Sequence, residues 1–132
     1  MNEKSIHSLL QANLGNMVLL ERIESTTNTG TADCNACYKG NEWWMEYKVV
    51  GHKAKTTTIL VPTSLGKVWL RPQQYAWHVN RAAYNSHAFV VARTDDSIVV
   101  LRCGPDGTWT ELFVTKKPFN YNGLLSVFIA GF

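Results

Sequence analysis

The chain has 132 residues, of which 45% are hydrophobic and 17% are charged, and its formal net charge is +3. This length suits one domain with a single core, and the composition is that of a soluble globular protein. No stretch approaches the roughly 18–20 apolar residues of a membrane helix, and the N-terminus lacks the pattern of a signal peptide. We therefore expect a single domain over residues 1–132 that is cytoplasmic and has no membrane partner. The slight basic excess permits a nucleic-acid partner without demonstrating one.

The three cysteines, Cys34, Cys37 and Cys103, are an odd number, which argues against a disulfide framework. Cys34 and Cys37 form a C-x-x-C pair that could begin a zinc site. A closed zinc site needs four ligands, and the remaining cysteine and the histidines stand at no familiar spacing. In a strand, Cys34 and Cys37 would also point to opposite faces. We therefore predict that they are packing residues.

The first third of the chain predicts a helix followed by strands. Apolar residues recur at three- and four-residue spacing over residues 3–14, which is typical of an amphipathic helix. Residues 17–25 are strand-like, and the polar residues 26–32 predict a loop. Two extended runs, 33–38 and 42–50, flank Lys39-Gly40-Asn41, which is a turn of hairpin length.

The rest of the chain continues the alternation of helices and strands. Residues 51–69 predict a basic excursion with one short strand, and a helix is expected over 71–85 with Pro72 at its first position. An apolar segment, 123–132, is either core or a dimer interface. Further strands are predicted at 88–93, 97–102 and 108–114. The order predicts an α/β or α+β domain with a mixed central β-sheet flanked by helices.

Two charged residues, Glu46 and Lys48, interrupt the hydrophobic run WWMEYKVV. Alternation puts both on one face of the strand, and a hairpin would bring Asp33 to that face. Buried charges need a partner, a metal or a shifted pKa. Asp33 and Glu46 can share Mg²⁺, for which we expect Mn²⁺ to substitute, and the Tyr47 carbonyl can supply a third oxygen ligand.

This set of residues predicts phosphodiester hydrolysis. A metal ion polarises a phosphodiester oxygen and lowers the pKa of a bound water, while Lys48 can orient that water or neutralise charge on the phosphate. An isolated E-x-K triplet is more often an ion pair on a solvated strand. The flanking tryptophans, Asp33 upstream and the helix downstream favour the metal site instead.

Two segments resemble a known family. GTAD (30–33) with MEYK (45–48) resembles the PD-(D/E)xK motif of the restriction-endonuclease-like nuclease superfamily, with Ala32 in place of the usual proline. LRPQQYAW (70–77) resembles the L-x-P-x-Q-x-x-W stretch of VRR-NUC-type and phage nucleases. The resemblance implies a restriction-endonuclease-like core and a phage origin. It also implies that Gln74 points from its helix into the site and that Trp77 is a packing residue.

The spacing of Asp33, Glu46 and Lys48 is similar to that in archaeal-type Holliday junction resolvases. Those enzymes carry a further glutamate on the first helix, about thirty residues before the aspartate. Glu3 stands at that distance, and Glu21 is the competitor on a predicted strand. The resemblance implies a Mg²⁺-dependent DNA endonuclease for branched or four-way DNA. A homodimer would supply the two symmetric cuts that such a junction needs.

Four basic residues close to the catalytic strand, Lys53, Lys55, Lys67 and Arg71, predict contacts with the DNA backbone. Trp69 is the one tryptophan that we keep as a candidate DNA contact. The alternative to an enzyme is a non-catalytic nucleic-acid-binding or structural module, in which the carboxylates only anchor a surface hairpin. Metal-dependent cleavage discriminates between the two, because a binding module would bind DNA equally well in EDTA and never cut it.

Overall fold

The computed structural model describes residues 1–24 and 30–132, so the sequence predictions for residues 25–29 lie outside the described part. The helices are α1 (Glu3–Leu14), α2 (Pro72–Ala83) and α3 (Tyr121–Ile129). The strands are β1 (Leu19–Arg22), β2 (Cys34–Tyr38), β3 (Asn41–Val49), β4 (Ile59–Thr63), β5 (Gly66–Leu70), β6 (Ala88–Arg93), β7 (Ser97–Cys103) and β8 (Trp109–Lys116).

The centre of the fold is a six-stranded sheet in the order β1-β2-β3-β6-β7-β8, and β4 pairs with β5 in a separate two-stranded sheet. Only the β3–β6 pair of the central sheet is parallel. The predicted α+β domain with a mixed central sheet flanked by helices is therefore confirmed, with mostly antiparallel pairing. No helix in the described ranges is long and apolar enough to cross a membrane.

The β2–β3 hairpin sets the position of the acidic residues. Its turn is Lys39-Gly40, and both residues have positive φ, as the tight two-residue hairpin turn requires. Asn41 already belongs to β3, so the predicted three-residue turn was one residue too long. Cys34 pairs with Met45 as the last register pair, which leaves Asp33 and Glu46 side by side just beyond it.

One face of the sheet carries α1 and α3. Trp43, Met45 and Tyr47 point to this face and are buried against apolar residues of the two helices. The ring of Trp43 stacks on Phe128 with 5.4 Å between ring centroids. Since Leu124, Leu125 and Phe128 are buried here, the apolar segment 123–132 contributes to the core. Of the two expected roles for this segment, the structure supports the core.

The other face carries α2 and the β4–β5 hairpin. Val61, Val68 and Leu70 of the hairpin pack against apolar residues of β6 and β7. The sequence predicted a single short strand ended by Pro62, and this was wrong. Proline cannot donate a ladder hydrogen bond, but it is tolerated in a strand that has a free edge, such as β4.

Other corrections concern the ends of elements. The strand predicted at 17–25 begins only at Leu19, because the N–H groups of Met17 and Val18 both donate to the Leu14 carbonyl at the end of α1. The second helix is shorter than 71–85, with Arg71 as its N-cap and Ala83 as its last residue. The last predicted strand extends to Lys116, and the final element is α3.

His78 is a buried titratable residue on α2. Its ring lies between those of Trp77 and Trp109, and neither ring nitrogen has a hydrogen-bond partner in the part of the chain that the structure describes. Burial, followed by the positive charge of Lys48, lowers the pKa of His78 to about 4. The folded protein therefore keeps this imidazole neutral.

We expect acid to destabilise the protein through His78. In the unfolded chain the pKa is about 6.5, so the unfolded state takes up the proton first and the free energy of unfolding falls as the pH drops from about 6.5 to 4. The full effect is roughly 3 kcal/mol, because each pKa unit corresponds to about 1.4 kcal/mol. Urea unfolding of the wild type and of His78→Phe across this range measures it. Parallel pH profiles for the two proteins would contradict the expectation.

Candidate active site

Asp33 lies where β2 separates from β3. Its Oδ2 accepts a hydrogen bond from the Tyr47 N–H at 2.8 Å. In an uninterrupted antiparallel ladder, the carbonyl of Ala32 would accept this bond, since Cys34 pairs with Met45. The Asp33 side chain therefore takes the place of a strand partner. The N–H and C=O of one strand residue point to the same edge, so the Tyr47 carbonyl faces the same opening.

Glu46 is the most buried carboxylate of the site, with 1% of its surface exposed. Its Oε2 accepts a hydrogen bond from Gln74 Nε2 at 3.2 Å, whereas Oε1 has no hydrogen-bond partner among the described residues. Burial raises the pKa of Glu46 well above its ordinary value, and the adjacent charge of Asp33 raises it further. Without a bound cation, this environment favours the protonated form of Glu46.

Gln74 is oriented by the start of α2. Its Oε1 accepts a hydrogen bond from the Arg71 N–H at 2.8 Å, which leaves the amide nitrogen to face Glu46. Pro72 fixes the first turn of the helix at this point, since its φ suits a first helical position. The sequence therefore places a glutamine with a fixed amide orientation beside the buried glutamate.

Lys48 and Glu3 form an ion pair at the mouth of the site. Lys48 Nζ lies 3.8 Å from Glu3 Oε1, and the lysine side chain is largely buried while that of the glutamate is half-exposed. Burial raises the pKa of Glu3, and the charge of Lys48 opposes this effect. His7, one helical turn after Glu3, has its Nδ1 2.9 Å from the Tyr47 hydroxyl, which fixes α1 against β3.

The competitor Glu21 lies on β1 and is exposed. It does not line the pocket that contains Asp33, Lys48 and Gln74, whereas Glu3 does. Of the two glutamates, the structure therefore brings Glu3 to the other candidate residues.

The pocket has a volume of about 280 Å³. Besides Glu3, Asp33, Lys48 and Gln74, its lining includes Val49, His52, Ala54, Thr56, Thr57 and Arg71. The basic residues of the loop after β3 were predicted as DNA contacts, but Ala54, Thr56 and Thr57 of the same loop were not predicted to line the pocket, because the loop has no periodic pattern. A turn in which the Thr57 N–H and hydroxyl both donate to the Ala54 carbonyl shapes it.

The four predicted DNA contacts differ in their distance from the pocket. Arg71 lines the pocket, whereas Lys53, Lys55 and Lys67 are exposed on the loop and hairpin that follow β3. The ammonium group of Lys53 lies 4.3 Å from the centroid of the half-buried Trp69 ring, a cation–π contact. Trp69 is therefore beside a positive charge at the surface, where a polyanion can reach both.

The donor set fits a hard divalent cation. Across residues 1–24 and 30–132, no three histidine, cysteine, aspartate or glutamate side chains form a ready metal cage. A cation here would bind the carboxylates of Asp33 and Glu46, the Tyr47 carbonyl and water. Mg²⁺ is commonly bound in this way, by one or two carboxylates with several waters retained. Glu46 Oε1 is buried and has no hydrogen-bond partner within residues 1–24 and 30–132, and it is the atom that such an ion would satisfy.

The cysteines lie elsewhere. Cys34 is buried in the core beneath α1, and Cys37 is half-buried three residues further along β2. The thiol of Cys34 is close to the Tyr47 hydroxyl, and burial raises its pKa to about 11. This keeps Cys34 protonated, as expected for a packing residue.

The structure thus brings five predicted site residues to one opening in the sheet: Glu3 from α1, Asp33 before β2, Glu46 and Lys48 from β3, and Gln74 from α2. They come from separate parts of the chain and meet only in the folded protein. No protein-family model matches this sequence, and no curated protein matches it.

Proposed function

We propose that the protein is a metal-dependent DNA endonuclease with a restriction-endonuclease-like core. The observation that carries this proposal is the state of Glu46, a buried carboxylate with one oxygen lacking a partner in the described residues. It lies beside Asp33, and Asp33 lines a polar pocket. Leaving a buried acceptor unsatisfied destabilises a fold by about 1–3 kcal/mol. A bound cation offsets this cost, and a purely structural carboxylate would not need one.

Asp33, Glu46 and the Tyr47 carbonyl are the residues that would hold Mg²⁺ or Mn²⁺. When bound, the ion supplies Lewis acidity toward a phosphodiester oxygen and lowers the pKa of a coordinated water. Gln74 holds the Glu46 carboxylate in one orientation through Oε2, which leaves Oε1 for the ion. In the same way, the Tyr47 N–H occupies Asp33 Oδ2 with a hydrogen bond, which leaves Asp33 Oδ1 to bind the ion.

Lys48 acts on the substrate side of the pocket. Its ammonium group can donate hydrogen bonds to the attacking water and neutralise the negative charge that builds on the phosphate. The ion pair with Glu3 holds the lysine side chain over the opening. Glu3 is therefore a positioning residue for Lys48, and its free carboxylate oxygen can accept a hydrogen bond from the water.

The finer part of the proposal is selectivity for branched or four-way DNA by a phage-type, resolvase-like homodimer. The exposed lysines at 53, 55 and 67, with Arg71 at the pocket, support contact with the DNA backbone. The apolar C-terminal segment is core, so a dimer needs another surface. Strand β8 is the last strand of the sheet, and Leu112 and Val114 on it are exposed.

A non-catalytic nucleic-acid-binding module remains the second candidate. One observation favours it: Asp33, Glu46 and Lys48 each have a partner within the protein. Such a module would bind DNA equally well in EDTA and would not cut it.

We expect Glu46→Gln to abolish Mg²⁺-dependent cleavage of linear and four-way DNA, with at least a 1,000-fold loss of rate as an order of magnitude. The variant should also be more stable than the wild type at neutral pH. The raised pKa of Glu46 means that this group ionises less readily in the folded protein than in the unfolded chain. The free energy of unfolding therefore falls as the pH rises above the pKa that Glu46 has in the unfolded chain. Cleavage assays with Mg²⁺ or EDTA, together with thermal unfolding, measure both effects.

The matched control is Glu42→Gln, the same change at an exposed position of the same strand. It should leave both cleavage and stability near wild type. A folded Glu46→Gln protein that cuts DNA at the wild-type rate would exclude this site as the catalytic centre. Equal rates on linear and four-way DNA, with only monomer in light scattering, would remove the resolvase part alone.

Gln74→Ala should lower the cleavage rate by about 10–100-fold, a smaller loss than that of the acidic residues. Groups that orient a metal ligand typically contribute this much, and they do not replace the ligand itself. The neighbouring Gln73 is exposed, so Gln73→Ala is the control. Steady-state kinetics of the two variants measure the difference, and identical rates would show that the Gln74–Glu46 bond is not used.

Mg²⁺ affinity should increase with pH. Because burial and Asp33 raise the pKa of Glu46, binding of the cation must displace a proton from this carboxyl group. Titration calorimetry in buffers of different ionisation enthalpy would detect the released proton. Affinity that does not change with pH, with no proton release, would contradict the assignment of Glu46 as a ligand.

A further inference from the structure

A second pocket adjoins the candidate active site. It has a volume of about 370 Å³ and is lined by Asn2, Glu3, Lys4, Arg22, Val49 and His52. Glu3, Val49 and His52 also line the first pocket. The two pockets are therefore neighbouring parts of one cleft, and these three shared residues form the boundary between them.

The second pocket is basic. Lys4 and Arg22 contribute two basic side chains, and among the described residues that line the pocket, Glu3 is the only carboxylate. Glu3 is already paired with Lys48 at 3.8 Å. The positive charges of this pocket therefore exceed its negative charge, which favours an anionic ligand.

Both basic side chains can be reached from solvent. Lys4 lies in the first turn of α1 and Arg22 is the last residue of the edge strand β1, and both are exposed. Arg22 pairs at the end of β1 with Cys34, the residue next to Asp33 in the chain, and it lines the second pocket. It is therefore positioned beside the cleft on the side away from α2.

We propose that this second pocket binds a backbone phosphate of the DNA strand that is cut, next to the phosphate in the catalytic pocket, with Arg22 and Lys4 as its charged contacts. The inference rests on the proposed function, because it takes the first pocket as the site of the scissile phosphate. A nucleic-acid strand presents phosphates at regular intervals, so a strand placed in one pocket continues into the adjoining one. Arginine can bind a phosphate through two parallel hydrogen bonds, and lysine adds a point charge.

This arrangement gives the strand positive charge on both sides of the cleavage point. Arg71 and the basic loop after β3 lie on the α2 side, and Lys4 with Arg22 lie on the other side. Glu3 and Lys48 are between the two groups. The DNA strand would thus pass over the Glu3–Lys48 ion pair. Basic residues on both sides of the cleavage point would then determine which phosphate lies in the catalytic pocket.

The test measures DNA binding without cleavage, in a Glu46→Gln background, with Arg22→Gln and Lys4→Gln added singly and together. The probe is a short mixed-sequence duplex, titrated over a series of salt concentrations. Each substitution should weaken binding about 3–10-fold, and the double variant should lower the slope of log K against log salt by about one, since about one counterion is released for each phosphate neutralised. Thermal unfolding verifies that the variants are folded.

Lys39→Asn is the matched control, because Lys39 is exposed at the β2–β3 turn, at the opposite end of β3 from Lys48. Asparagine tolerates the positive φ at this position. The control should leave affinity and salt slope at wild type. A loss as large as that of Arg22→Gln would show a general charge effect and overturn the assignment to the pocket.

A second arm separates an internal phosphate from a terminal one. The same duplex is tested with and without 5′-phosphates, and an equal loss on both supports a backbone phosphate. A loss confined to the 5′-phosphorylated duplex would overturn that assignment.

The outcome is separable from the nuclease proposal. A protein that cuts DNA but binds it with wild-type affinity and slope after both substitutions has no such phosphate pocket. If the wild type never cuts DNA, yet substitution of Arg22 and Lys4 weakens DNA binding and the Lys39 control does not, the phosphate pocket is supported and the nuclease proposal is contradicted.

Discussion

The geometry of the site depends on one hydrogen bond, from the Tyr47 N–H to the Asp33 carboxylate. At this point the ladder between β2 and β3 ends, and a side chain replaces a backbone acceptor. The replacement satisfies a buried donor and opens the sheet at the same place. Because the sheet is open there, α1 on one face can bring Glu3 to Lys48, which points to the other face.

Glu46 shows how the fold accommodates an unfavourable group. A carboxyl group that is 1% exposed is stable mainly in its neutral form, and a single bond from Gln74 compensates only part of its lost hydration. The surrounding structure is well packed on both faces, with Trp43 and Phe128 stacked on one and Val68 and Leu70 buried on the other. Two apolar clusters thus hold in place a residue that weakens the fold at neutral pH. Buried ionisable groups with strongly shifted pKa values are concentrated at the sites where proteins bind ligands.

The sequence alone predicted those parts of the site that depend on local patterns. Strand alternation placed Glu46 and Lys48 on one face. The expectation that Asp33 shares this face was right, but the register that achieves it comes from the two-residue turn Lys39-Gly40, because a turn one residue longer would place Asp33 opposite Tyr47. Pro72 marked the start of α2 and so placed Gln74 in its first turn. The choice between Glu3 and Glu21 could not be made locally, since it depends on where α1 packs across the sheet. The pairing of β4 with β5 was missed because Pro62 was taken as the end of a strand.

The position of Glu3 in the first turn of α1 makes the site sensitive to local unfolding. The core contacts of this helix come from Ile6, Leu10 and Leu14, all of which follow Glu3 along the chain. The turn itself is held by the Asn2 cap, whose side chain accepts a hydrogen bond from the Ser5 N–H, and by the partner Lys48. Helix ends open at a lower free energy than the core that anchors them. Opening of this one turn would release Lys48 while the sheet stays folded, so heat should disorder the site before it unfolds the sheet.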